Sequence, residues 1–136
     1  MHSTTPATRQ VAILLYPDVE VLNFAGPCEV FTTASRMALR LAPAAAPQAE
    51  ITASVCTGVF LLAAAGLLPA GTPVTTHGED NGDPRRAHPG LDVLPQRRCV
   101  DQGQIVSSAG ISAGIDMRLH LVARLAGMAL AERTAR

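Results

Sequence analysis

The sequence ITASVCTG over residues 51–58, followed by VFLLAAAGLL over residues 59–68, decides the fold expected of this chain. Residues 51–55 predict a short strand buried within a sheet. Residues 58–67 are hydrophobic nearly all round, which predicts a helix packed on several sides. Only Cys56 and Thr57 separate these two elements, so the strand must pass into the helix through a sharp turn.

Strand and helix patterns alternate along the rest of the chain. Residues 11–16 are a continuous apolar run, which predicts a strand buried on both faces, as in a parallel sheet. Further strands are predicted at 73–76, within 93–100 and at 104–108, and further helices at 27–41 and from the N-cap Ser112 to residue 128. We therefore expect an α/β three-layer sandwich with a mostly parallel sheet.

The length of 136 residues favours one domain. Residues 1–9 are polar and contain Pro6, which predicts a disordered arm, and residues 10–136 form the expected domain. Residues 42–49 are rich in Ala and Pro. Two prolines within five residues oppose helix continuation, so this segment is interpreted as a joint between elements.

Composition excludes several function classes. Eleven basic residues balance eleven acidic ones, so no overall field favours nucleic acid or an anionic membrane. The longest apolar run, Val59–Leu68, is too short to span a bilayer, and Pro17 and Asp18 interrupt the first apolar run, which argues against a secretion signal.

The three cysteines, Cys28, Cys56 and Cys99, are odd in number and include no CxxC pair. This pattern argues against a disulfide framework or a zinc site and favours a reducing cytoplasm. The histidines also lack the spacing of a zinc site. We therefore predict no metal and no cofactor.

Cys56 has the sequence context of a nucleophile. A thiol becomes reactive when it is exposed and its thiolate is stabilised. The predicted strand delivers Cys56 to the turn, and the helix that follows points its N-terminal amides and positive dipole end at the sulfur. Gly58 lets the chain turn without a side-chain clash. This layout follows the logic of the nucleophile elbow of serine hydrolases.

Four blocks of sequence, in order, resemble the ThiJ/PfpI family, whose fold is similar to class I glutamine amidotransferases. Together they span most of residues 11–135. The blocks are LYPDV (15–19) with FAGPCEVF (24–31), VCTGVFLLAAAGLL (55–68) with VTTH (74–77), VDQG (100–103), and SAGISAGIDM (108–117). The resemblance implies a flavodoxin-like sheet, a small-molecule substrate and a homodimer.

The Cys-Thr-Gly triplet is similar to the isonitrile hydratase branch of that family, whereas the peptidase branch carries His after the cysteine. The resemblance implies that the Cys56 thiolate attacks an isocyanide carbon. A carboxylate shuttles protons, Thr57 orients the substrate or the water, and an N-substituted formamide is formed. Gly58, His77 and Ser112 would line the substrate or oxyanion site. For His77 and Ser112, purely structural roles remain open.

Two departures from the family pattern bear on this lyase activity. The family carboxylate is replaced by Asn23, and an amide cannot serve as a proton shuttle. Family members also carry further strands and a Pro-Gly-Gly turn before the nucleophile strand. Here only the joint at 42–49 stands in that place, so we expect strands to be missing after the first helix.

Two other functions therefore stay open. The first is a non-catalytic domain that senses a small molecule, as in AraC-type regulators, which also resemble this sequence. The second is an inactive, truncated remnant of the enzyme. Both follow from Asn23 and the shortened segment before Ile51.

Overall fold

The computed structural model describes residues 11–12, 23, 25–26, 39–40, 49–77 and 89–136. The predictions for residues 1–9, for most of the first strand and first helix, and for most of the joint at 42–49 lie outside the described residues. Cys28 and His88 lie outside them too.

The nucleophile strand belongs to a small mixed sheet. Strand β3 (Thr52–Val55) pairs in parallel with β7 (Ile105–Ser108), which pairs on its other side with the antiparallel β6 (Cys99–Asp101). The remaining described strands form two parallel pairs, β1 (Val11–Ala12) with β2 (Leu39–Arg40) and β4 (Pro73–Val74) with β5 (Asp92–Val93). Parallel pairing therefore predominates in the described part of the chain, as predicted.

Three helices have both ends within the described residues. They are α1 (Gly58–Ala64), α2 (Ser112–Ala126) and α3 (Met128–Thr134). Helix α1 ends earlier than predicted, and Gly66 follows it with a φ of +70°. Gly127 has a φ of +95°, outside the helical region, and therefore separates α3 from α2. None of the helices in the described ranges is long and apolar enough to cross a membrane.

Two predicted elements differ from the structure. The helix expected at 27–41 does not reach its predicted end, because Leu39 and Arg40 pair as a strand with β1, and pairing overrides local helical preference. Asn23, Ala25 and Gly26 are already helical, before the expected start. The N-cap prediction for Ser112 is also wrong. Helix α2 begins at Ser112 itself, Ile111 holds the N-cap position, and no side chain caps the helix.

The nucleophile strand lies between two helices. Successive residues of a strand point to opposite faces. A Cβ atom at Gly114 of α2 would lie 3.0 Å from Val55 Cγ1, whereas one at Gly58 of α1 would lie 3.8 Å from Ser54 Cβ. Helices α1 and α2 therefore cover opposite faces of β3, which is the helix–sheet–helix layering of the predicted sandwich.

The hydrophobic core follows this layering. On the α2 side, Val106, Met117 and Leu121 are buried together, and Val55 and Cys99 pack against them. On the α1 side, the buried cluster consists of Val59, Val74 and Val93. The carboxyl end of β3 emerges between these two clusters and carries Cys56.

Candidate active site

Cys56 adopts a left-handed backbone conformation at the end of β3, with a φ of 55°. A residue with a Cβ atom pays roughly 1–2 kcal/mol for this conformation. Neighbouring groups hold it in place. The Cys56 amide donates a hydrogen bond of 3.0 Å to the Ser108 carbonyl, and the Cys56 carbonyl accepts one of 2.9 Å from Thr76 Oγ1. The strained strand-to-helix turn is the geometry of a nucleophile elbow, and the Cys56 residue is partly exposed there.

Thr57 and Gly58 carry the chain from this turn into helix α1. Thr57 occupies the N-cap position, and its carbonyl accepts a hydrogen bond of 3.0 Å from the Phe60 amide. The Thr57 hydroxyl makes no capping bond to the helix. A Cβ atom at Gly58 would make an ordinary van der Waals contact of 3.8 Å with Ser54 Cβ, so the helix starts close to the strand that it follows.

His77 and Cys56 approach the same point in space, next to Gly110. A Cβ atom at residue 110 would lie 3.2 Å from Cys56 Sγ and 3.1 Å from His77 Nδ1. Such separations are tighter than ordinary van der Waals contacts. A side chain at this position would have to displace the thiol or the imidazole, so the site depends on glycine here. The sequence pattern indicated only strand–helix packing for Gly110, because nothing local marks its contact with Cys56.

Asn23 lies at the same turn. Its Oδ1 accepts a hydrogen bond of 3.0 Å from the Ile111 amide, next to Gly110. Gly26, from the same helical stretch, rests on α2, where a Cβ atom would lie 3.0 Å from Ile115 Cγ1. The structure thus places the Asn23 side chain against the residue that follows Gly110.

Ile111 itself is conformationally unusual. Its φ of 54° and ψ of −114° are the angles of the first central residue of a type II′ turn, a position that glycine normally occupies. The Ala113 amide closes the turn by donating a hydrogen bond of 3.3 Å to the Gly110 carbonyl. A β-branched residue with positive φ is an outlier, and such strain concentrates at functional sites.

Ser112 makes a side-chain hydrogen bond at the start of α2. Its Oγ accepts a hydrogen bond of 3.2 Å from Arg98 Nη2, at an exposed position. The same guanidinium pairs with Asp116, which lies beyond the first turn of α2. The Arg98 carbonyl also accepts a bond of 2.9 Å from the Ala109 amide. Ser112 therefore helps to anchor the start of α2.

Cys99 provides a contrast to Cys56. Burial raises the pKa of the Cys99 thiol, and the negative charges of Asp101 and Asp116 raise it further. The Cys99 thiol therefore stays protonated at neutral pH, where a thiol is a poor nucleophile.

As for metals, the described residues include no group of three His, Cys, Asp or Glu side chains placed to hold an ion.

Comparisons with known proteins agree with this geometry. No family model matches the chain. It is 40% identical over 88 residues to an isonitrile hydratase from Pseudomonas putida, a match that covers 64% of this chain and 36% of that protein. Among solved structures, a ThiJ/PfpI family protein from Pseudomonas syringae superposes with a TM-score of 0.75 at 23% identity, over 98% of this chain and 79% of that one. Schizosaccharomyces pombe DJ-1 superposes with a TM-score of 0.62 at 15% identity, over 85% and 91% of the two chains.

The fold is thus the flavodoxin-like α/β fold of the DJ-1 and ThiJ proteins, with a cysteine at the strand-to-helix turn. The chain is similar in sequence to an isonitrile hydratase and similar in fold to a ThiJ/PfpI family protein. It spans about a third of the length of the curated isonitrile hydratase that it matches. The Pseudomonas syringae structure carries residues for which this chain has no counterpart, in keeping with the predicted loss of strands.

Proposed function

We propose that this protein adds water to an isocyanide through Cys56, giving an N-substituted formamide. The observation that carries the proposal is the left-handed turn at Cys56, which holds the sulfur beside Gly110 and His77. The similarity to an isonitrile hydratase selects the reaction from among those that a nucleophilic cysteine supports.

The reaction balances with one isocyanide and one water. The thiolate forms an S–C bond to the isocyanide carbon, and that carbon takes a proton to give a thioimidate. Water then adds across the C=N bond, placing OH on carbon and a proton on nitrogen. Breaking the S–C bond, with loss of the proton from the new hydroxyl, releases the formamide and restores the thiolate. The proton lost here replaces the one that the isocyanide carbon took up in the first step. The cysteine thus replaces one difficult addition by two easier steps.

Proton transfer requires a group that Asn23 does not provide. The Asn23 carbonyl oxygen is already the acceptor for the Ile111 amide, and a neutral amide does not exchange protons at useful rates. His77 Nδ1 lies near the same point as the thiol, and imidazole is the usual general acid and base near neutral pH. We therefore assign proton transfer to His77, and we assign orientation of the substrate or the water to Thr57, whose hydroxyl makes no capping bond.

The experiment is to incubate the protein with cyclohexyl isocyanide and to quantify the formamide by gas chromatography. Cys56→Ala is expected to abolish product formation, whereas Cys99→Ala is the matched control and should retain activity. Asn23→Asp keeps an oxygen for the Ile111 amide and restores the carboxylate. General acid–base catalysis typically contributes at least about a hundredfold, so a rise in turnover of at least about tenfold is a conservative expectation. Formamide produced equally by wild type and Cys56→Ala would refute the proposal.

A second candidate function is ligand binding without turnover, and the amide at Asn23 is the observation that favours it. In that case an isocyanide or a similar small molecule would protect Cys56 from alkylation while no formamide accumulated. The same incubation distinguishes the two functions, provided that Cys56 modification and product are followed together.

A further inference from the structure

We propose that Thr76 is a positioning residue for the nucleophile, and that its buried hydroxyl fixes both the Cys56 turn and the segment that carries His77. The inference rests on the proposed function in one respect, since it takes Cys56 to be the reacting group.

The hydroxyl of Thr76 reaches the turn directly. Thr76 Oγ1 donates a hydrogen bond of 2.9 Å to the Cys56 carbonyl, and the Thr76 residue is only 4% exposed. The Cys56 amide is held separately by the Ser108 carbonyl at 3.0 Å. Both backbone polar groups of Cys56 are therefore held by other segments of the chain, one by β7 and one by the residues after β4. The two bonds together determine the orientation of the peptide units that flank a residue with φ of 55°.

Thr76 also precedes His77 in the chain. Its neighbour Thr75 is anchored on the other side, because the Thr75 amide donates a bond of 2.9 Å to Ser107 Oγ and Thr75 Oγ1 donates one of 2.6 Å to the Arg97 carbonyl. Residues 75–77 are thus tied to the sheet through Thr75 and to the nucleophile turn through Thr76. The Thr76 bond is the one that sets the distance between the two side chains meeting at Gly110.

Thr75 offers a matched control for a merely structural role. It is the same residue type, it is fully buried, and its hydroxyl also donates to a backbone carbonyl. That carbonyl belongs to Arg97, however, and not to the nucleophile turn. Replacing either threonine by valine removes one buried hydroxyl of similar surroundings while preserving the shape of the side chain. Only the Thr76 change leaves the Cys56 carbonyl without its donor.

The test is the rate of iodoacetamide alkylation at Cys56, read by peptide mass spectrometry between pH 6 and 9 with Cys99 as the internal reference. Thr76→Val is expected to lower the Cys56 rate about tenfold, because small displacements of a reacting group cost up to about a hundredfold. Thr76→Ser keeps the hydroxyl, so its Cys56 alkylation rate should stay within about twofold of wild type. The Cys56 alkylation rate of Thr75→Val should also stay within about twofold, even if its melting temperature falls as far as that of Thr76→Val.

Equal Cys56 rates in Thr76→Val and wild type would overturn the proposal, and so would an equal loss in Thr75→Val. If Thr76→Val does not fold, Thr76→Ala is measured in the same way, since the smaller side chain leaves room for water. Failure of both to fold, with Thr75→Val intact, would show that the hydroxyl serves the whole sheet, which also overturns the proposal. Alkylation needs no isocyanide, so this outcome is independent of formamide formation.

Discussion

Cys56 and Ile111 both hold positive φ angles, of 55° and 54°, and they flank the same small space beside Gly110. Each carries a Cβ atom in a backbone region that favours glycine, at a cost of roughly 1–3 kcal/mol apiece. Three hydrogen bonds hold them there. The Thr76 hydroxyl donates to the Cys56 carbonyl, the Ser108 carbonyl accepts from the Cys56 amide, and Asn23 Oδ1 accepts from the Ile111 amide. The strain at the site is therefore supported by bonds from three separate segments of the chain.

Ser54, in the strand that leads to Cys56, contributes an unfavourable energy of a different kind. It is 5% exposed, and its Oγ has no hydrogen-bond partner among the described residues. A buried hydroxyl without a partner costs roughly 1–3 kcal/mol in desolvation. Ser54→Ala is therefore expected to leave the free energy of unfolding unchanged or to raise it by up to about 1 kcal/mol. The measurement is urea denaturation followed by circular dichroism.

Ser107→Ala is the matched control, from the strand that pairs with β3. Ser107 is 1% exposed, and its Oγ accepts the hydrogen bond of the Thr75 amide. Its removal leaves a buried donor unpaired, so the free energy of unfolding is expected to fall by about 1–3 kcal/mol. An equal fall in the free energy of unfolding in Ser54→Ala and Ser107→Ala would contradict the interpretation that Ser54 Oγ has no hydrogen-bond partner.

The position of Cys56 at a strand-to-helix turn could be predicted because its signal is local, with a strand pattern, a cysteine and a helix pattern in consecutive residues. The contacts of Gly110 and Asn23 are of another kind. Gly110 meets a thiol 54 positions earlier in the chain, and Asn23 binds an amide 88 positions later. No spacing rule reports such contacts. For Asn23, only the family resemblance indicated a place near the thiol.

The turn that joins β7 to α2 is a strained connection, because Ile111 has a positive φ. Ile111 occupies a position suited to glycine, and its side chain is 49% exposed, so it gains little from burial. Ile111→Gly is expected to raise the free energy of unfolding by about 1 kcal/mol, since relief of strain exceeds the added entropy of the unfolded chain. Thermal denaturation measures the change. Ile115→Gly, in the interior of α2, should instead lower the free energy of unfolding. A lower free energy of unfolding in both variants would contradict the interpretation that Ile111 is strained.

A cluster of charged groups ties the β6–β7 turn to helix α2. Asp101 accepts hydrogen bonds from His120 Nε2 at 2.6 Å, from Arg124 Nη1 at 2.8 Å and from the Gly103 amide at 2.8 Å. Partial burial raises the pKa of Asp101, but the bonds from His120 and Gly103 and the charge of Arg124 outweigh burial and hold that pKa below its ordinary value.

This lowered pKa predicts a dependence of stability on pH. A carboxyl whose pKa is lower in the folded state stabilises the fold above its unfolded value of about 3.9, and the contribution is lost as the pH falls through the folded value. Asp101→Asn is therefore expected to cost about 1 kcal/mol at pH 7 and almost nothing near pH 2, as exposed pairs are individually weak. Urea denaturation at both pH values measures it. Asp116→Asn, in the more exposed pair with Arg98, is the control and should cost less at pH 7.

The elements that were predicted well are those fixed by local pattern. The turn at Asp101–Gly103 is formed as expected, with the Gly103 amide bound to the Asp101 carboxylate and a φ of +85° at Gly103. The break at Gly127 and the strand at Leu39–Arg40 were missed. Alanine and leucine on either side of Gly127 continue a helical pattern, and Leu39–Arg40 becomes a strand only because β1 lies beside it.

In the described part of the chain, the strand-to-helix turn at Cys56 is formed, although the chain matches only part of the similar Pseudomonas syringae structure. The chain superposes on 79% of the Pseudomonas syringae structure, yet the strands that surround Cys56 and Gly110 are present and paired. Residues that hold the turn come from β7 and the segment after β4, both of which follow the nucleophile in sequence. Shortening before Ile51 therefore leaves these supports intact.

Self-association is the last property that the fold leads us to expect. The described residues expose four large apolar side chains, Leu61, Ile111, Ile115 and Met128, with Met128 64% accessible. Ile111 and Ile115 lie at the start of α2, close to the site. Such groups mark an interaction surface only where they form a contiguous patch, so the expectation of a homodimer rests on the family resemblance. Because dissociation accompanies unfolding in a dimer, stability must depend on protein concentration.

We therefore expect the urea midpoint to rise by about 0.5 M for each tenfold increase in protein concentration, for a typical slope of about 2–3 kcal/mol/M. Light scattering should give a mass near twice the 14.2 kDa of the chain. Ile115→Lys and Met128→Lys each place a charge on one exposed position. The substitution at a position within the dimer interface should remove the dependence of the urea midpoint on protein concentration. The substitution at a position outside the interface should leave that dependence unchanged. A midpoint that is constant over a hundredfold range of wild-type concentration would show that the chain acts as a monomer, with its site built from one copy alone.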